Sequence, residues 1–131
     1  MINPNLLFLE KALESLAGAE SEAVNGRYNN AANRAYYASF QAAIAALMLA
    51  GTRPPGGGTT WDHGYVAAQF DHLINRRKLY PTEHRGVIAR IRDLRRRADY
   101  TDSSVTPTET NRALQRTRRL VTAVQTGGGG T

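Results

Sequence analysis

One stretch of the chain, residues 28–49, is almost entirely alanine, aromatic and aliphatic, with a thin line of polar residues through it. The polar positions are Asn30, Arg34, Tyr37 and Gln41, at helical spacings of four, three and four. At 100° per residue they lie within a stripe roughly 60° wide. Burying an unpaired arginine costs several kcal/mol. We therefore expect a helix buried on most of its circumference, whose stripe faces water, a partner or a site shared with another subunit.

Proline and glycine residues divide the rest of the chain into further helical segments. The first is expected to run from about residue 5 to residue 24, and Gly51 is expected to end the second. No segment alternates apolar and polar residues over a useful length, so the sequence predicts an all-α fold, an up-and-down bundle of four to five helices. The apolar positions of the first helix are Leu6, Leu7, Leu13, Leu16 and Ala17. The remaining helices are expected to begin near Tyr28, Trp61, Pro81 and Pro107.

With 131 residues, the chain has the length of a single domain, which we place at residues 1–126. Residues 52–60 hold two prolines and three glycines and are predicted to form a flexible loop, and residues 127–131 a flexible glycine-rich tail. There is no cysteine, and no apolar run approaches the roughly 20 residues that cross a membrane. We expect a cytoplasmic protein without a membrane partner, a disulfide or a metal.

The basic residues are concentrated in the middle of the chain. The net charge is +6, and residues 76–97 hold nine basic side chains against Glu83 and Asp93. Arginine supplies 15 of the 17 cations, and its planar fork suits phosphate or carboxylate. Nucleic acid, an acidic protein or a nucleotide could each bind this patch. The alternative is a solvated helix face that serves solubility alone.

Three blocks of sequence together resemble a known family. GRYNNAANRAYYASFQAA, WDHGYVAAQF and IRDLRRRADYTD occur in this order, and they are similar to the small prokaryotic HEPN proteins, of the RAYYAxF and R-x-x-ADY type. The resemblance covers nearly all of residues 5–125. It implies a bundle of four or five helices that pairs as a homodimer through the helix bearing the arginine motif.

The resemblance also implies a function. Many HEPN proteins are ribonucleases, often toxins partnered with a minimal nucleotidyltransferase antitoxin, and an Arg and a His of one motif cleave RNA without a metal or cofactor. Arg34 matches the arginine, but Gln41 stands where the histidine is expected. Glutamine cannot gain or lose a proton near neutral pH, and general acid-base catalysis contributes about 10²- to 10⁴-fold. We therefore expect a weak or inactive ribonuclease whose catalytic positions are Arg34 and the degenerate Gln41.

Further candidates surround this pair, each with a structural alternative. Asn30, Asn33 and Tyr37 are expected to line the cleft with Arg34. His63 could act as an accessory group, although a structural role at the start of the third helix, as a cap or bonded to a backbone carbonyl, is the simpler interpretation. His72 and His84 are expected on the solvated surface. The block Arg97, Asp99 and Tyr100 could border the cleft near Arg34, with Arg97 and Tyr100 binding substrate, or could pair and pack with its neighbours.

The leading hypothesis is a HEPN homodimer that binds RNA phosphates in the Arg34 cleft. The alternatives are a non-catalytic module that docks a partner, such as a nucleotidyltransferase, and a module that binds a nucleotide.

Overall fold

The computed structural model describes residues 4–100 and 104–127, apart from the side chains of residues 4, 5 and 100. This part of the chain forms five α-helices and two short 3-10 turns, so the all-α prediction is confirmed. The turns are Pro55–Gly57 and Thr82–His84. The helices are α1 (Pro4–Val24), α2 (Tyr28–Leu49), α3 (His63–Asn75), α4 (Val87–Tyr100) and α5 (Pro107–Gln125).

Helix α2 is the centre of the bundle, in contact with each of the other four helices. Its alanines, among them Ala35, Ala38 and Ala42, are fully buried, as are Ala12 and Ala19 of α1. Small side chains at these positions let neighbouring helix backbones approach closely. The expectation that α2 is buried on most of its circumference is confirmed. Burial of the helix at the centre leaves the polar stripe as its outward surface.

The ends of two helices are set by capping residues that can be seen in the sequence. Gly51 adopts φ +85°, and the Gly51 and Thr52 amides donate to the Met48 and Leu47 carbonyls at 3.1 and 2.8 Å. This is the glycine-terminated arrangement that satisfies the last carbonyls of a helix. At the start of α5, the Thr106 hydroxyl accepts from the Glu109 amide, and the Glu109 carboxylate accepts from the Thr106 amide, both at 3.1 Å. A reciprocal cap of this kind fixes the first residue of a helix.

The expected start of the fourth helix at Pro81 is wrong. A 3-10 turn follows Pro81, Arg85 is extended, and Gly86 adopts φ +71°, so the α-helix begins only at Val87. The turn packs against α3, and it carries His84 inward to 3% exposure. The expectation that His84 lies on the solvated surface is therefore also wrong, because the ring belongs to an inward-facing turn and not to an outward helical position. His72 is exposed, as expected.

The apolar positions expected on α1 are corrected as well. Of these, Leu16 is buried, whereas Leu6, Leu7, Leu13 and Ala17 are exposed. The buried line is made by Leu16 together with two alanines, Ala12 and Ala19. Leu6, Leu7 and Leu13 lie on the outside of the described structure.

The third helix begins at His63, two residues after Trp61, because Asp62 caps it by accepting from the Tyr65 amide at 3.0 Å. The loop 52–60 contains the 3-10 turn Pro55–Gly57 and is largely exposed. None of the helices described combines the length and the apolar character needed to span a membrane.

Candidate nucleic-acid interface

The polar stripe of α2 reaches the surface as its spacing predicts. Asn30, Arg34 and Tyr37 are exposed, and Gln41 is partly buried. Helices α1 and α4 both pack on α2 but make few contacts with each other in the described structure. The stripe therefore has two edges, one toward α1 and the other toward α4, and its residues divide between them.

Arg34 lies along the α1 edge. Its side chain crosses Gly18, where an added Cβ would stand 3.1 Å from Arg34 Nη1 and 3.2 Å from Arg34 Cδ. A hydrogen bond from Arg27, at 2.5 Å, lowers the pKa of the Glu22 carboxyl, and Arg34 and Asn30 contribute to the same shift. Glycine at position 18 thus leaves the space through which the Arg34 guanidinium reaches a surface shared with an acidic side chain.

Gln41 is fastened to α1. Turned so that its Nε2 faces α1, the amide donates to Ser15 Oγ at 2.8 Å and to the carbonyl oxygens of Lys11 and Tyr37 at 3.0 and 3.2 Å. The residue at the expected histidine position therefore uses its hydrogen-bonding groups to hold two helices together. It brings no titratable group to the stripe.

Arg95 of α4 forms the other edge. Its Nε donates to Asn33 Oδ1 at 2.8 Å, and its Nη2 donates to the Tyr37 hydroxyl at 3.4 Å. The guanidinium carbon lies 5.3 Å from the ring centroids of both Tyr36 and Tyr37, within the range of a cation–π contact. Asp99, one turn later, lies 3.6 Å from Arg95 Nε. These contacts hold one guanidinium beside an exposed tyrosine, and Arg95 is 21% exposed.

His63 lies at the same edge, at the start of α3. Its Nδ1 is hydrogen-bonded to the buried Tyr36 hydroxyl, and its ring stacks on Phe40 with centroids 4.6 Å apart and planes at 25°. Burial, and then the Arg92 and Arg95 guanidiniums, lower the pKa of His63, whereas Asp62 acts in the opposite direction. The expected cap and backbone carbonyl contacts of His63 are wrong, because Asp62 is the cap and the imidazole binds a side chain.

The Arg97 block divides between two faces of α4. Arg97 forms an ion pair with Glu109 of α5, beside a cavity of about 400 Å³ that is also lined by Arg90, Arg112 and Arg116. Asp99 instead faces Arg95. The Tyr100 side chain lies outside the described residues. The structure therefore places Arg97 against α5, whereas Arg34 lies against α1. Of the two alternatives for this block, pairing with neighbouring residues is the one that holds for Arg97 and Asp99.

A family model described as "HEPN domain" matches residues 6–126 of the chain. The chain belongs to the HEPN domain family. No protein in the curated collection of characterised proteins matches it. The family assignment confirms the resemblance and agrees with the observed all-α bundle.

Sequence reasoning missed Arg95 and Arg92 in this HEPN domain. In the motif R-x-x-ADY, the arginine stands three residues before the alanine, which is Arg95 and not Arg97. Counting that spacing would have found Arg95. No local pattern announces the contact between Tyr36 and His63, because these residues are separated by 27 positions and by the 52–60 loop.

Proposed function

We propose that this HEPN protein binds the phosphate backbone of RNA at the exposed face of α2, in the cytoplasm and as a homodimer, and that it cleaves RNA weakly or not at all. One observation carries the proposal. Exposed Tyr37 lies between two guanidinium-bearing edges, with Arg34 toward α1 and Arg95 toward α4. Guanidiniums bind phosphate oxygens through paired N–H donors, and an exposed aromatic ring offers a surface on which a base can stack.

The weak-cleavage part of the proposal rests on Gln41. Metal-independent cleavage needs a group that removes a proton from the 2′-hydroxyl and a group that returns one to the leaving oxygen. Gln41 cannot do either, and its amide is bonded to α1. Arg34 can still stabilise charge on a phosphate. Binding is therefore supported by more of the site than catalysis is.

The test is fluorescence anisotropy with a labelled single-stranded RNA over a range of salt concentrations. Wild-type affinity should fall steeply as salt rises, and Arg34→Ala should lower the slope of log K against log salt by about 0.7, the value for one phosphate contact on a single strand. Arg53→Ala, at an exposed position in the 52–60 loop, is the matched control. Equal slopes for wild type and Arg34→Ala would remove Arg34 from the interface.

The same proteins should be incubated with total RNA and with tRNA. We expect little cleavage by wild type, and any cleavage should disappear in Arg34→Ala. Cleavage that is robust and insensitive to this substitution would contradict the assignment of the site. If the protein is a toxin-type ribonuclease, introducing Gln41→His should raise the cleavage rate, because it restores a titratable group at the motif position.

Docking of a protein partner is the second candidate function, and α1 favours it. Leu6, Leu13 and Val24 are 54%, 37% and 86% exposed, and their spacings of 7 and 11 residues place them on one face of the helix. Exposed apolar lines of this kind mark protein contacts. If a second copy of the chain occupies this face, the homodimer contact lies on α1 and not on the Arg34 helix that the family resemblance implies. If the chain is monomeric, a nucleotidyltransferase antitoxin is the proposed partner.

Light scattering after size-exclusion chromatography tests the homodimer. Wild type should have twice the mass of the chain, and the double variant Leu6→Glu/Leu13→Glu should be monomeric. Leu79→Glu, which changes an exposed leucine in the segment between α3 and α4, should remain dimeric. A monomeric wild type would overturn the homodimer. In that case, co-purification with a nucleotidyltransferase encoded beside the gene would support the docking function.

A further inference from the structure

The His63 imidazole is held in one orientation by two residues of α2. Its Nδ1 is bonded to the Tyr36 hydroxyl, and its ring lies on Phe40, with centroids 4.6 Å apart. Tyr36 is fully buried. A ring fixed at Nδ1 and at one face presents Nε2 as its remaining polar atom. The position of the proton on His63 therefore depends on which of the two groups donates in the Tyr36 contact.

The Tyr36 hydroxyl is the donor. Burial raises the pKa of Tyr36 to about 12, so the phenol keeps its proton throughout the neutral range. Among the described residues, His63 Nδ1 is the acceptor that lies within reach of this hydroxyl. A buried hydroxyl that makes no hydrogen bond costs about 1–3 kcal/mol. The Tyr36 O–H therefore donates to the acceptor within its reach. An Nδ1 that accepts this proton must leave the imidazole proton on Nε2.

The charged groups around the imidazole keep it neutral. Arg92 and Arg95 of α4 and Asp62 of the capping turn act on it through their charges, while Tyr36 and Phe40 contact it from α2. Burial and the two guanidiniums lower the pKa of His63, and Asp62 offsets this in part. In the neutral state, the Nε2–H and the two guanidiniums that act on the ring are all hydrogen-bond donors. Such a set of donors matches an anion.

We infer that His63, in its neutral Nε2–H form, donates a hydrogen bond to an RNA phosphate in a subsite completed by Arg92 and Arg95. The inference rests on the proposed RNA-binding function and specifies which phosphate contact the α4 edge makes. It also assigns His63 a binding role and not that of the missing base, because an Nε2 that carries a proton cannot remove one from a 2′-hydroxyl. Tyr36 acts as the positioning residue that sets the tautomer.

Nitrogen-15 NMR of the full-length protein tests the tautomer. With ¹⁵N-labelled histidine at pH 7, His63 should show a protonated Nε2 and an unprotonated Nδ1, and the signal is assigned by its loss in His63→Gln. Tyr36→Phe, which keeps the ring, should give a mixture of tautomers. A protonated Nδ1 in wild type would overturn the inference.

Uridine 3′-monophosphate is the probe of the phosphate subsite. Its addition should shift the His63 Nε2 signal and raise the pH at which His63 titrates, because a bound anion favours the imidazolium. Exposed His72 should be unchanged. For RNA binding, His63→Phe should weaken affinity by roughly 10-fold, the loss expected for one charge-assisted hydrogen bond. His63→Gln should retain most of the affinity, because its amide can donate from a similar position.

The outcomes separate this inference from the proposed function. RNA binding by wild type without a nucleotide-induced shift at His63 would overturn the subsite and leave the RNA-binding proposal standing. A shift at His63 with no RNA binding by wild type would overturn the RNA-binding proposal and leave the phosphate subsite standing. Loss of affinity in His63→Gln equal to that in His63→Phe would contradict the neutral-donor role.

Discussion

The two edges of the α2 stripe hold their polar groups in different ways. On the α1 edge, Gln41 is bonded to Ser15 and to backbone carbonyls, and Arg34 shares its surface with Glu22. On the α4 edge, Arg95 is oriented by Asn33 and Tyr37, and the His63 ring is held by Tyr36 through Nδ1. The family motif lies on the first edge, but the second edge brings a guanidinium, an imidazole and an exposed tyrosine together. The difference indicates that the α1 edge combines a helix attachment at Gln41 with one phosphate-binding guanidinium at Arg34, while the α4 edge is built around a cluster of binding groups.

The largest expected effect is on stability, and it should distinguish two adjacent tyrosines of the α4 edge. Tyr36 is fully buried and Tyr37 is 38% exposed. Tyr36→Ala should therefore lower the free energy of unfolding by about 3–5 kcal/mol, the cost of emptying a large core site, and Tyr37→Ala by under about 1 kcal/mol. Chemical denaturation measures both, and similar losses would contradict the burial difference.

Arg95 of α4 and Arg116 of α5, which lie on opposite sides of α4, should differ in their effect on RNA binding. Arg95→Gln should weaken the affinity at least about 10-fold, since a charge-assisted hydrogen bond contributes about 1.5–3 kcal/mol. Arg116→Gln removes an exposed guanidinium beside the α4–α5 cavity, and it should weaken the affinity by less than about threefold through the general field alone. Anisotropy titrations at one salt concentration compare the two. A larger loss for Arg116→Gln would move the interface to the other face, and thermal melting of both variants confirms folding.

Gln41 should matter for stability and not for RNA. Gln41→Ala removes its bonds to α1 and should lower the free energy of unfolding by about 1–2 kcal/mol. RNA affinity should stay within about twofold of wild type. Glu14→Ala, an exposed change on the same helix as Ser15, serves as the control for stability. A strong loss of affinity in Gln41→Ala would show that Gln41 itself contacts RNA.

Substitution of Gly18 should change stability less than Gln41→Ala does, and in the opposite direction. Gly18→Ala should raise the free energy of unfolding by up to about 1 kcal/mol, because alanine favours a helix interior more than glycine does. The new Cβ would meet the far end of the flexible Arg34 side chain at 3.1 Å, which can move by a few tenths of an ångström. Destabilisation would show that Arg34 is held more firmly than its exposure indicates.

The pH dependence should also distinguish the edges. The folded-state pKa of His63 lies below its ordinary value of 6.5, so its contribution to stability is present above pH 6.5 and is lost as the pH falls through the folded pKa. His63→Gln should make the fall in stability between pH 7 and 5 shallower. Buried His84, whose pKa burial also lowers, should supply the remaining slope. The α1 edge has no such group, since the lowered pKa of Glu22 places its titration below pH 4.5, and Gln41→Ala should leave the slope unchanged.

The sequence predicted where the helices begin and end more completely than it predicted which residues meet between helices. The bounds of α2, its end at Gly51 and the start of α5 at Pro107 follow from periodicity and from breaker residues. The buried position of His84 could not be predicted in this way, because a 3-10 turn and Gly86 interrupt the helix that Pro81 was expected to start.

The candidate site could be predicted only in part, for the same reason. The stripe of α2 is a property of one helix, and its exposure was foreseen. Arg95 meets Asn33 across 62 residues, and His63 meets Tyr36 across 27. Pairings of this length depend on how helices cross, which a single sequence does not display. For Arg97 the sequence left two alternatives open, and the pairing one describes its contact with Glu109, because the two-residue step from Arg95 to Arg97 turns the side chain to another face of α4.

The most direct measurement is a map of backbone amide shifts on adding a single-stranded RNA oligonucleotide to the ¹⁵N-labelled protein. We predict that the shifts will centre on residues 33–41 of α2, on the start of α3 at His63 and on residues 92–99 of α4, and that Arg112 and Arg116 of α5 will be unchanged. Shifts confined to the α4–α5 cavity, with α2 unaffected, would contradict it.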